Sequence, residues 1–360
     1  MLRFCFVLNL ACAALAALTW KTQDISSLLV EEAKGVVYKS LEGSAHPLEA
    51  LMKQGGANSA KIRVWVNPPD GNYNLNYALK LGKRAQAAGL AVVLNLHYSD
   101  TWADPGHQIK PAAWSNLGAE QLIAKVKNYT TEVLDAFFAA GLDVNLVGIG
   151  NEVRAGLLWP TAKYDQMGNI AKILTAASHA VRNSQYKSKA KVMIHLDRGY
   201  SWSTQEWFYD GIVKAGFNMR DVDVQGISFY PFWDPKESTF DNFRSCMTNM
   251  AKKYGKIIVV TETDWPTKCS QAGSNIPPSL RSIPFTPAGQ VTWMQKVAEV
   301  VKAVPNGLGQ GIMYWEPGWI DNASLGSKCE DGGTLFKGDW SNKSHPVAMA
   351  HPSINMFKAI

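Results

Sequence analysis

Short apolar runs rich in β-branched residues alternate along the chain with longer stretches in which apolar residues recur at helical spacing. Seven such runs lie at residues 60–66, 90–96, 145–149, 191–196, 222–229, 256–261 and 310–315, and a weaker first run lies at 18–24. Runs of this length and composition are typical of buried strands. The helical stretches between them, such as 75–89 and 119–141, end at glycine, which readily takes the left-handed conformation that closes a helix.

This alternation predicts an α/β fold. Strands joined by helices run parallel and are covered on both faces, and eight such units close into a (β/α)8 TIM barrel. A doubly wound open sheet is the alternative, but the glycine-rich segment 307–311 lacks the G-x-G-x-x-G spacing of nucleotide-binding sheets and precedes a strand. Because no linker, low-complexity tract or sequence repeat divides the chain, we expect one domain over residues 17–360.

Composition narrows the classes of partner. The 360 residues are 46% hydrophobic and 18% charged, which is typical of a globular protein. The formal charge of +6 comes from scattered basic residues rather than from a block of like charges, so we expect no nucleic-acid partner. The 13 tryptophans indicate, besides core packing, flat surfaces of the kind on which sugars stack.

The N-terminal segment predicts secretion. Residues 1–16 carry one basic residue, Arg3, then an apolar run, and end in the small-residue pattern Ala14–Leu15–Ala16 of a signal-peptide cleavage site. The run is shorter than the roughly 20 residues that span a bilayer, so we expect no membrane anchor and an extracellular protein. Acceptor triplets for N-glycosylation at Asn128, Asn322 and Asn342 are compatible with that route.

Three cysteines remain after removal of the predicted signal, so they cannot all pair. Cys269 and Cys329 lie in loops rich in Gly, Ser and Pro, whereas Cys246 lies in the helical pattern of residues 240–254. Secreted proteins form disulfides readily. We predict a disulfide between Cys269 and Cys329, with Cys246 free and buried.

Polar residues gather directly after the predicted strands, where a barrel carries its chemistry. Glu152 follows the fourth strand in the segment Gly150–Asn151–Glu152, and Glu262 follows the seventh. Either glutamate alone could be an ordinary helix-start or solvated carboxylate. Together they form a pair of carboxylates from different strands at one barrel mouth, the arrangement that glycosidic cleavage requires.

Other strand-end residues have two interpretations each. Arg63, inside an apolar strand, needs a partner because an unpaired buried charge is costly, and Glu262 is one candidate. His97 and His195 are either satisfied core histidines or site residues. Tryptophans in or beside strand-end loops are either core aromatics or sugar-stacking surfaces; they are Trp102, Trp265 and Trp315.

Metal and cofactor chemistry is not predicted. Neither an H-E-x-x-H segment nor a paired-cysteine spacing of a zinc site occurs in the sequence, and no G-x-S-x-G nucleophile elbow is present. The segment 321–326 resembles a calcium loop only at its first and sixth residues, since Ala323 and Leu325 offer no side-chain oxygen. We therefore expect no metal and no cofactor.

Four segments resemble one known family. They are 63–68 (RVWVNP), 97–105 (HYSDTWADP), 148–160 (GIGNEVRAGLLWP) and 314–317 (YWEP), and they are similar to glycoside hydrolase family 53. The resemblance runs from about residue 20 to the C-terminus. It implies a TIM barrel and a secreted endo-β-1,4-galactanase, also called an arabinogalactan endo-β-1,4-galactosidase, that acts on galactan side chains of pectin. For a secreted protein of this kind we expect a monomer.

The resemblance also implies roles for individual positions. Glu152 matches the family's acid/base and Glu262 its nucleophile, and the Cys269–Cys329 pair matches a disulfide of fungal-type members. Residues that match positions orienting the nucleophile or the sugar are Arg63, Asn151, Tyr230 and Trp315. Residues that match cleft-lining segments are His97, Trp102, Asp104, His195, Asp197 and Trp265. The chain departs from the family pattern at Thr22, Asn95 and Arg198, where the family carries Gly, Asp and Asn, so details of sugar binding are expected to differ.

The resulting hypothesis is a retaining glycoside hydrolase that works by double displacement with two glutamates. It requires carboxyl groups about 5–5.5 Å apart, against about 6.5–9.5 Å in an inverting enzyme. Two alternatives remain: a hydrolase of another β-glycan, such as cellulose or mannan, and a carbohydrate-binding protein without turnover.

Overall fold

A computed structural model describes residues 17–271 and 275–360. Eight parallel strands form a closed barrel in which each strand pairs with its neighbours in sequence and the last pairs with the first. The barrel strands are β1 (Trp20–Asp24), β2 (Ser59–Val64), β3 (Ala91–Leu96), β4 (Val144–Ile149), β5 (Lys191–Leu196), β6 (Val224–Ser228), β7 (Ile257–Thr263) and β8 (Gly309–Tyr314). The predicted (β/α)8 barrel is confirmed, and the predicted signal at 1–16 lies outside the described residues.

The first strand was the weakest sequence prediction, and the barrel explains why it forms. β1 is polar, but it pairs in register with β8 on one side, Trp20 opposite Gly311, and with β2 on the other, Thr22 opposite Ser59. A strand with two hydrogen-bonded neighbours needs little help from intrinsic propensity. Closure of the barrel therefore decides the conformation of this segment.

Helices cover the outside of the barrel. They are α1 (Leu28–Ala33), α2 (Leu48–Gln54), α3 (Leu75–Ala87), α4 (Ala119–Ala139), α5 (Met167–Asn183), α6 (Trp202–Lys214), α7 (Phe240–Tyr254) and α8 (Pro287–Lys302). Gly89 and Gly141, just beyond α3 and α4, have φ angles of +77° and +69°, which lie in the left-handed region. These glycines end the helices as the sequence predicted.

The apolar core has two separate layers. Inside the barrel, a small cluster fills the interior; its members are Trp20, Val93, Leu146, Met193, Val224, Val259 and Met313. A larger cluster packs between the strands and the helices. This interior cluster fills the barrel below the carboxyl ends of the strands. The polar side chains at those ends therefore meet in one depression on that face of the barrel.

The loops beyond β7 and β8 are joined covalently. Cys269 and Cys329 form a disulfide across 60 residues of sequence, and Cys246 is free and buried in α7, so both cysteine predictions are confirmed. A three-stranded sheet that the sequence did not predict consists of Val37–Lys39, Phe336–Asp339 and Val347–Ala350. Within the described ranges, no helix is long and apolar enough to cross a membrane.

The three predicted glycosylation acceptors differ in access. Asn128 and Asn342 are exposed. Asn322 is only 3% exposed, and its amide nitrogen donates to the carbonyl of Gly332 (3.3 Å). Because a buried side chain leaves no room for a glycan in the folded protein, we expect glycans at the two exposed acceptors rather than at Asn322.

Candidate active site

The carboxyl ends of the strands open onto a cleft of about 650 Å³. Residues from the loops after most of the strands line it. The predicted site residues among them are Arg63, His97, Trp102, Asp104, Asn151, Glu152, Asp197, Tyr230, Glu262 and Trp315. The structure thus brings together side chains that are up to 252 positions apart, from Arg63 to Trp315.

Glu152 reaches the cleft through an unusual backbone. β4 ends at Ile149, Gly150 follows with φ of +108°, and Glu152 itself has φ of +46° and ψ of +49° in the left-handed region. A residue with a side chain takes this conformation at a cost, and residues in such conformations cluster at functional sites. The turn aims the Glu152 carboxyl into the cleft before the chain enters the short 3₁₀ helix Val153–Ala155.

The two predicted glutamates face each other. One carboxylate oxygen of Glu152, one of Glu262 and one ring nitrogen of His195 all lie within 4.8 Å of one another. Burial raises the pKa of Glu152 well above its ordinary value, and the negative charges of Glu262 and Asp197 raise it further. These surroundings therefore favour the protonated form of Glu152.

Glu262 has the opposite surroundings. The Nζ atom of Lys61 lies 2.6 Å from its Oε1, and the Tyr230 hydroxyl donates to its Oε2 at 3.2 Å. Lys61 also lies 3.4 Å from Asp24, and its side chain is 2% exposed. Burial by itself would lower the pKa of Lys61, but the carboxylates of Glu262 and Asp24 raise it above the ordinary value. A permanent cation therefore balances the Glu262 carboxylate.

Arg63 does not pair with Glu262 as the sequence suggested. Its guanidinium forms an ion pair with Glu316, just beyond β8, and a hydrogen bond to Ser27 (2.8 Å). Lys61 and Arg63 are two positions apart on β2, so their side chains point to the same face of the strand. The residue nearer the end of the strand, Arg63, meets the loop after β8, while Lys61 reaches β7 across the barrel.

His195 is buried beneath the cleft and holds neighbouring site residues by hydrogen bonds. It was expected to line the cleft, but it is fully buried and its ring nitrogens contact Asn151 Oδ1 (2.9 Å) and Ser228 Oγ (2.8 Å). Burial lowers the pKa of His195 well below its ordinary value, and the charge of Lys61 adds to this effect. The ring is therefore neutral, and its role is to connect strand ends.

His97 lines the cleft, as expected, and is 3% exposed. Its Nδ1 accepts a hydrogen bond from the backbone N–H of Ala103 (3.2 Å). Burial lowers the pKa of His97 well below its ordinary value, with a further contribution from the positive charges of Arg63 and Lys61. His97 thus presents a neutral ring to the cleft.

The three candidate tryptophans divide between cleft and core. Trp102 and Trp315 line the cleft, and Trp102 covers the Arg63 guanidinium with its ring centroid 4.3 Å away. Trp265 is fully buried between Phe285 and Trp293, with ring centroids at 5.5 and 4.9 Å, and its Nε1 donates to a backbone carbonyl. The expectation that Trp265 contacts sugar is therefore replaced by a packing role behind β7.

Acidic residues at the rim carry their own partners. Asp197 pairs with Arg154 at 2.7 Å, and Asp104 contacts His107 at 2.9 Å. All four side chains line the cleft. The rim therefore offers one ion pair, Arg154–Asp197, and the Asp104–His107 contact, whose polar atoms can bind hydroxyl groups.

Sequence reasoning missed several members of this site. The missed residues are Lys61, Ser228 and Glu316, which contact predicted site residues, and Asp24, which contacts Lys61. A signal was available in the spacing, since a residue two positions from a recognised one lies on the same face of a strand, as Lys61 does relative to Arg63. None of these four follows from a motif of catalytic spacing. Their roles depend on which strand lies opposite.

The departures from the family pattern occupy three different environments. Thr22 is buried in the barrel and shares a hydrogen bond with Ser59 (2.5 Å). Asn95 is buried and donates to Asn151 Oδ1 (2.6 Å), and Arg198 lines the cleft with φ of +53°. Only Arg198 is placed to contact a sugar directly.

Glu152, Glu262 and His195 offer atoms of the kinds that metals bind, but their surroundings do not form a metal centre. Both ring nitrogens of His195 are engaged in hydrogen bonds, and the Lys61 ammonium already neutralises Glu262. A metal ligand set needs free lone pairs from neutral histidine and carboxylates. The arrangement is suited instead to proton transfer and nucleophilic attack by paired carboxylates.

Comparison with known proteins agrees with this geometry. The chain is 46% identical over 358 residues to a probable arabinogalactan endo-β-1,4-galactanase A of Aspergillus fumigatus, with 98% of each chain covered. It is 44% identical to an arabinogalactan endo-β-1,4-galactanase of Humicola insolens, covering 96% of this chain and all of that one. A solved structure of a fungal β-1,4-galactanase superposes with a TM-score of 0.90 at 44% identity, over 96% of this chain and 100% of that one.

The chain also matches the sequence pattern of a whole family. Residues 20–357 fit the family described as glycosyl hydrolase family 53, which covers nearly all of the described barrel. The paired glutamates, the barrel and these relatives lead to one conclusion: the chain belongs to glycosyl hydrolase family 53.

Proposed function

We propose that this chain is a secreted arabinogalactan endo-β-1,4-galactanase that hydrolyses β-1,4-galactosidic bonds in the galactan side chains of pectin with retention of configuration. Glu262 is the nucleophile and Glu152 the acid/base. One observation carries the proposal: an oxygen of Glu152 and an oxygen of Glu262 lie within 4.8 Å of each other in the cleft, and the two carboxyl groups have different electrostatic surroundings. The names of the relatives support the substrate class.

The spacing supports retention. In retaining enzymes the carboxyl groups lie about 5–5.5 Å apart, so that one of them can attack the sugar, whereas inverting enzymes leave about 6.5–9.5 Å for a water molecule. One oxygen of Glu152 and one of Glu262 lie within 4.8 Å of each other, and this closeness supports the shorter separation of a retaining enzyme.

In the first step, Glu262 attacks the anomeric carbon and the bond to the leaving sugar breaks as Glu152 gives its proton to the leaving oxygen. In the second step, water attacks the same carbon, Glu152 takes its proton, and Glu262 departs as a carboxylate. The raised pKa of Glu152 suits the first step, because the acid must be protonated before the reaction starts. Once Glu262 is esterified its charge is gone, and the pKa of Glu152 falls, which suits the second step.

The first experiment is reducing-end release from unbranched β-1,4-galactan by the purified protein, its Glu262→Ala variant and a Glu299→Ala control. Glu299 is an acid on α8 whose side chain is 69% exposed, and it is not one of the residues that line the cleft. Activity is expected in the protein and the control and not in Glu262→Ala. The anomer formed first, observed by proton NMR, should be β.

The alternatives give different outcomes. Cleavage of mannan or cellulose with galactan left intact would refute the substrate class and keep the carboxylate roles. Galactan binding without new reducing ends would support a binding protein. An initial α product would refute retention.

A further inference from the structure

A chain of hydrogen bonds runs from Glu152 into the protein. Glu152 Oε1 lies 2.6 Å from Ser228 Oγ, Ser228 Oγ lies 2.8 Å from His195 Nε2, and His195 Nδ1 lies 2.9 Å from Asn151 Oδ1. Ser228, His195 and Asn151 are at most 5% exposed, so solvent does not compete for these contacts. This series of hydrogen bonds links the ends of β4, β5 and β6.

At the Asn151 end of this series of hydrogen bonds, the donor and the acceptor can be assigned. The amide nitrogen of Asn151 donates to the carbonyl of Ala103 (2.7 Å), which turns its oxygen toward His195. That oxygen also accepts from the amide of Asn95 (2.6 Å). Because an amide oxygen can only accept, the hydrogen on this side belongs to His195 Nδ1.

The ring of His195 then fixes the next contact. Burial and Lys61 hold the pKa of His195 well below its ordinary value, so the ring is neutral and carries one hydrogen. With that hydrogen on Nδ1, Nε2 is an acceptor. Ser228 is the hydroxyl that faces it.

Ser228 therefore has one proton and two acceptors beside it. If Glu152 is ionised, Ser228 donates to the carboxylate and leaves buried Nε2 without a donor, which is unfavourable. If Glu152 is protonated, it donates to Ser228 and Ser228 donates to His195. Every group in the chain is then satisfied.

We propose that the Ser228 hydroxyl is a switch that turns between Glu152 and His195 as the acid/base loses and regains its proton. Ser228 and His195 are positioning residues, and the inference rests on the proposed role of Glu152. When the Glu152 proton leaves its hydrogen bond with Ser228 and passes to the leaving oxygen, Ser228 turns to donate to the new carboxylate. When Glu152 takes a proton from the attacking water, Ser228 turns back to His195.

Other charged groups that face this chain come from every neighbouring strand end. Those facing Glu152 are Glu262, Asp197, Asp104, Arg154 and Tyr230, and those facing His195 are Lys61 and His97. Their titration could also shift the His195 signals. The test therefore needs a variant in which Glu152 alone cannot titrate.

The experiment is ¹⁵N NMR of histidine-labelled protein across pH, with His195→Gln used to assign the His195 signals. We expect the tautomer with hydrogen on Nδ1 and a step in the Nε2 shift as Glu152 loses its proton. The step should vanish in Glu152→Gln, whose amide keeps donating to Ser228, and in Ser228→Ala. Ser228→Thr, which retains a hydroxyl, should restore it.

A tautomer with hydrogen on Nε2, or a step that survives in Glu152→Gln, would overturn the switch. If Ser228→Ala does not fold, the comparison between wild type and Glu152→Gln decides the question alone. The outcome is separate from that of the proposed function: loss of the tautomer or step leaves galactan hydrolysis untouched, whereas a Glu262→Ala variant that still hydrolyses galactan refutes the carboxylate roles regardless of the NMR result.

Discussion

Replacing Lys61 by methionine tests whether its charge serves the proposed nucleophile. Lys61 contacts Glu262 at 2.6 Å and Asp24 at 3.4 Å, and none of the three side chains is more than 10% exposed. Methionine has a similar length and no charge, so the variant removes the cation with little change in packing. The result is two buried carboxylates without their shared partner.

The effect on catalysis follows from the second step of the proposed reaction. Glu262 regains its negative charge as it leaves the sugar, and Lys61 stabilises that charge. Two unit charges about 4 Å apart interact by about 4 kcal/mol at an effective dielectric constant of about 20. Since about 1.4 kcal/mol corresponds to a factor of ten, we expect kcat to fall by about 10²- to 10³-fold.

The assay is pre-steady-state hydrolysis of an aryl β-galactobioside. A burst of released phenol followed by slow turnover is expected for Lys61→Met, because the first step proceeds and the second is slowed. Unpairing buried charges also costs about 3–5 kcal/mol of folding free energy, so the rates are measured well below the midpoint of thermal unfolding. Lys61→Arg, which retains the charge, is the matched control.

Two outcomes would refute this reasoning. Folded Lys61→Met with a kcat near that of the wild type would mean that Lys61 serves only the fold. A Lys61→Arg variant as slow as Lys61→Met would show that the shape of the lysine, rather than its charge, matters.

Three further predictions concern stability and modification. Replacing both Cys269 and Cys329 by alanine should lower the free energy of unfolding by about 2–4 kcal/mol, because a cross-link spanning 60 residues is lost; an unchanged denaturant midpoint would contradict this. In protein secreted by a eukaryotic host, mass spectrometry should find glycans on Asn128 and Asn342 and none on buried Asn322. Burial raises the pKa of Glu31 from 4.5 to about 8, with Asp321 adding to the shift, so its contribution to stability is complete below about pH 4.5 and is lost as the pH rises through about 8. Glu31→Gln should therefore flatten the decline of the melting temperature over that interval, and an unchanged slope would refute the assignment.

The sequence predicted the barrel and the positions of its strands because both depend on local pattern. Short apolar runs separated by helices allow few topologies, and the strand-end positions of Glu152 and Glu262 follow directly from the strand boundaries. The structure confirms each predicted strand to within two residues. The cysteine pairing was predictable for a similar reason, since loop composition separated Cys269 and Cys329 from helical Cys246.

The partners of charged residues were not predictable in this way. A strand pattern tells which side chains point into the barrel, but not which strand end each one meets. Glu262 was one candidate partner for Arg63, but Arg63 pairs with Glu316, and Lys61, which the sequence did not single out, lies beside Glu262. The choice depends on height along the strand and on the stagger between strands, which are properties of the closed barrel.

Residue type alone was equally ambiguous for Trp265 and His195. A tryptophan after a strand can stack on sugar or fill the space behind the strand, and Trp265 does the second. A histidine can face a substrate or join other side chains, and His195 joins Asn151 to Ser228.

The sequence by itself determined the fold, the two carboxylates and the family, because these depend on periodicity and on short motifs read along the chain. Tertiary structure alone decided how the two carboxylates differ. Burial and a facing acid raise the pKa of Glu152, whereas Lys61 neutralises Glu262, and each effect comes from residues distant in sequence. Electrostatic energy depends on distance through space and on access of water, and both are set only when the barrel closes.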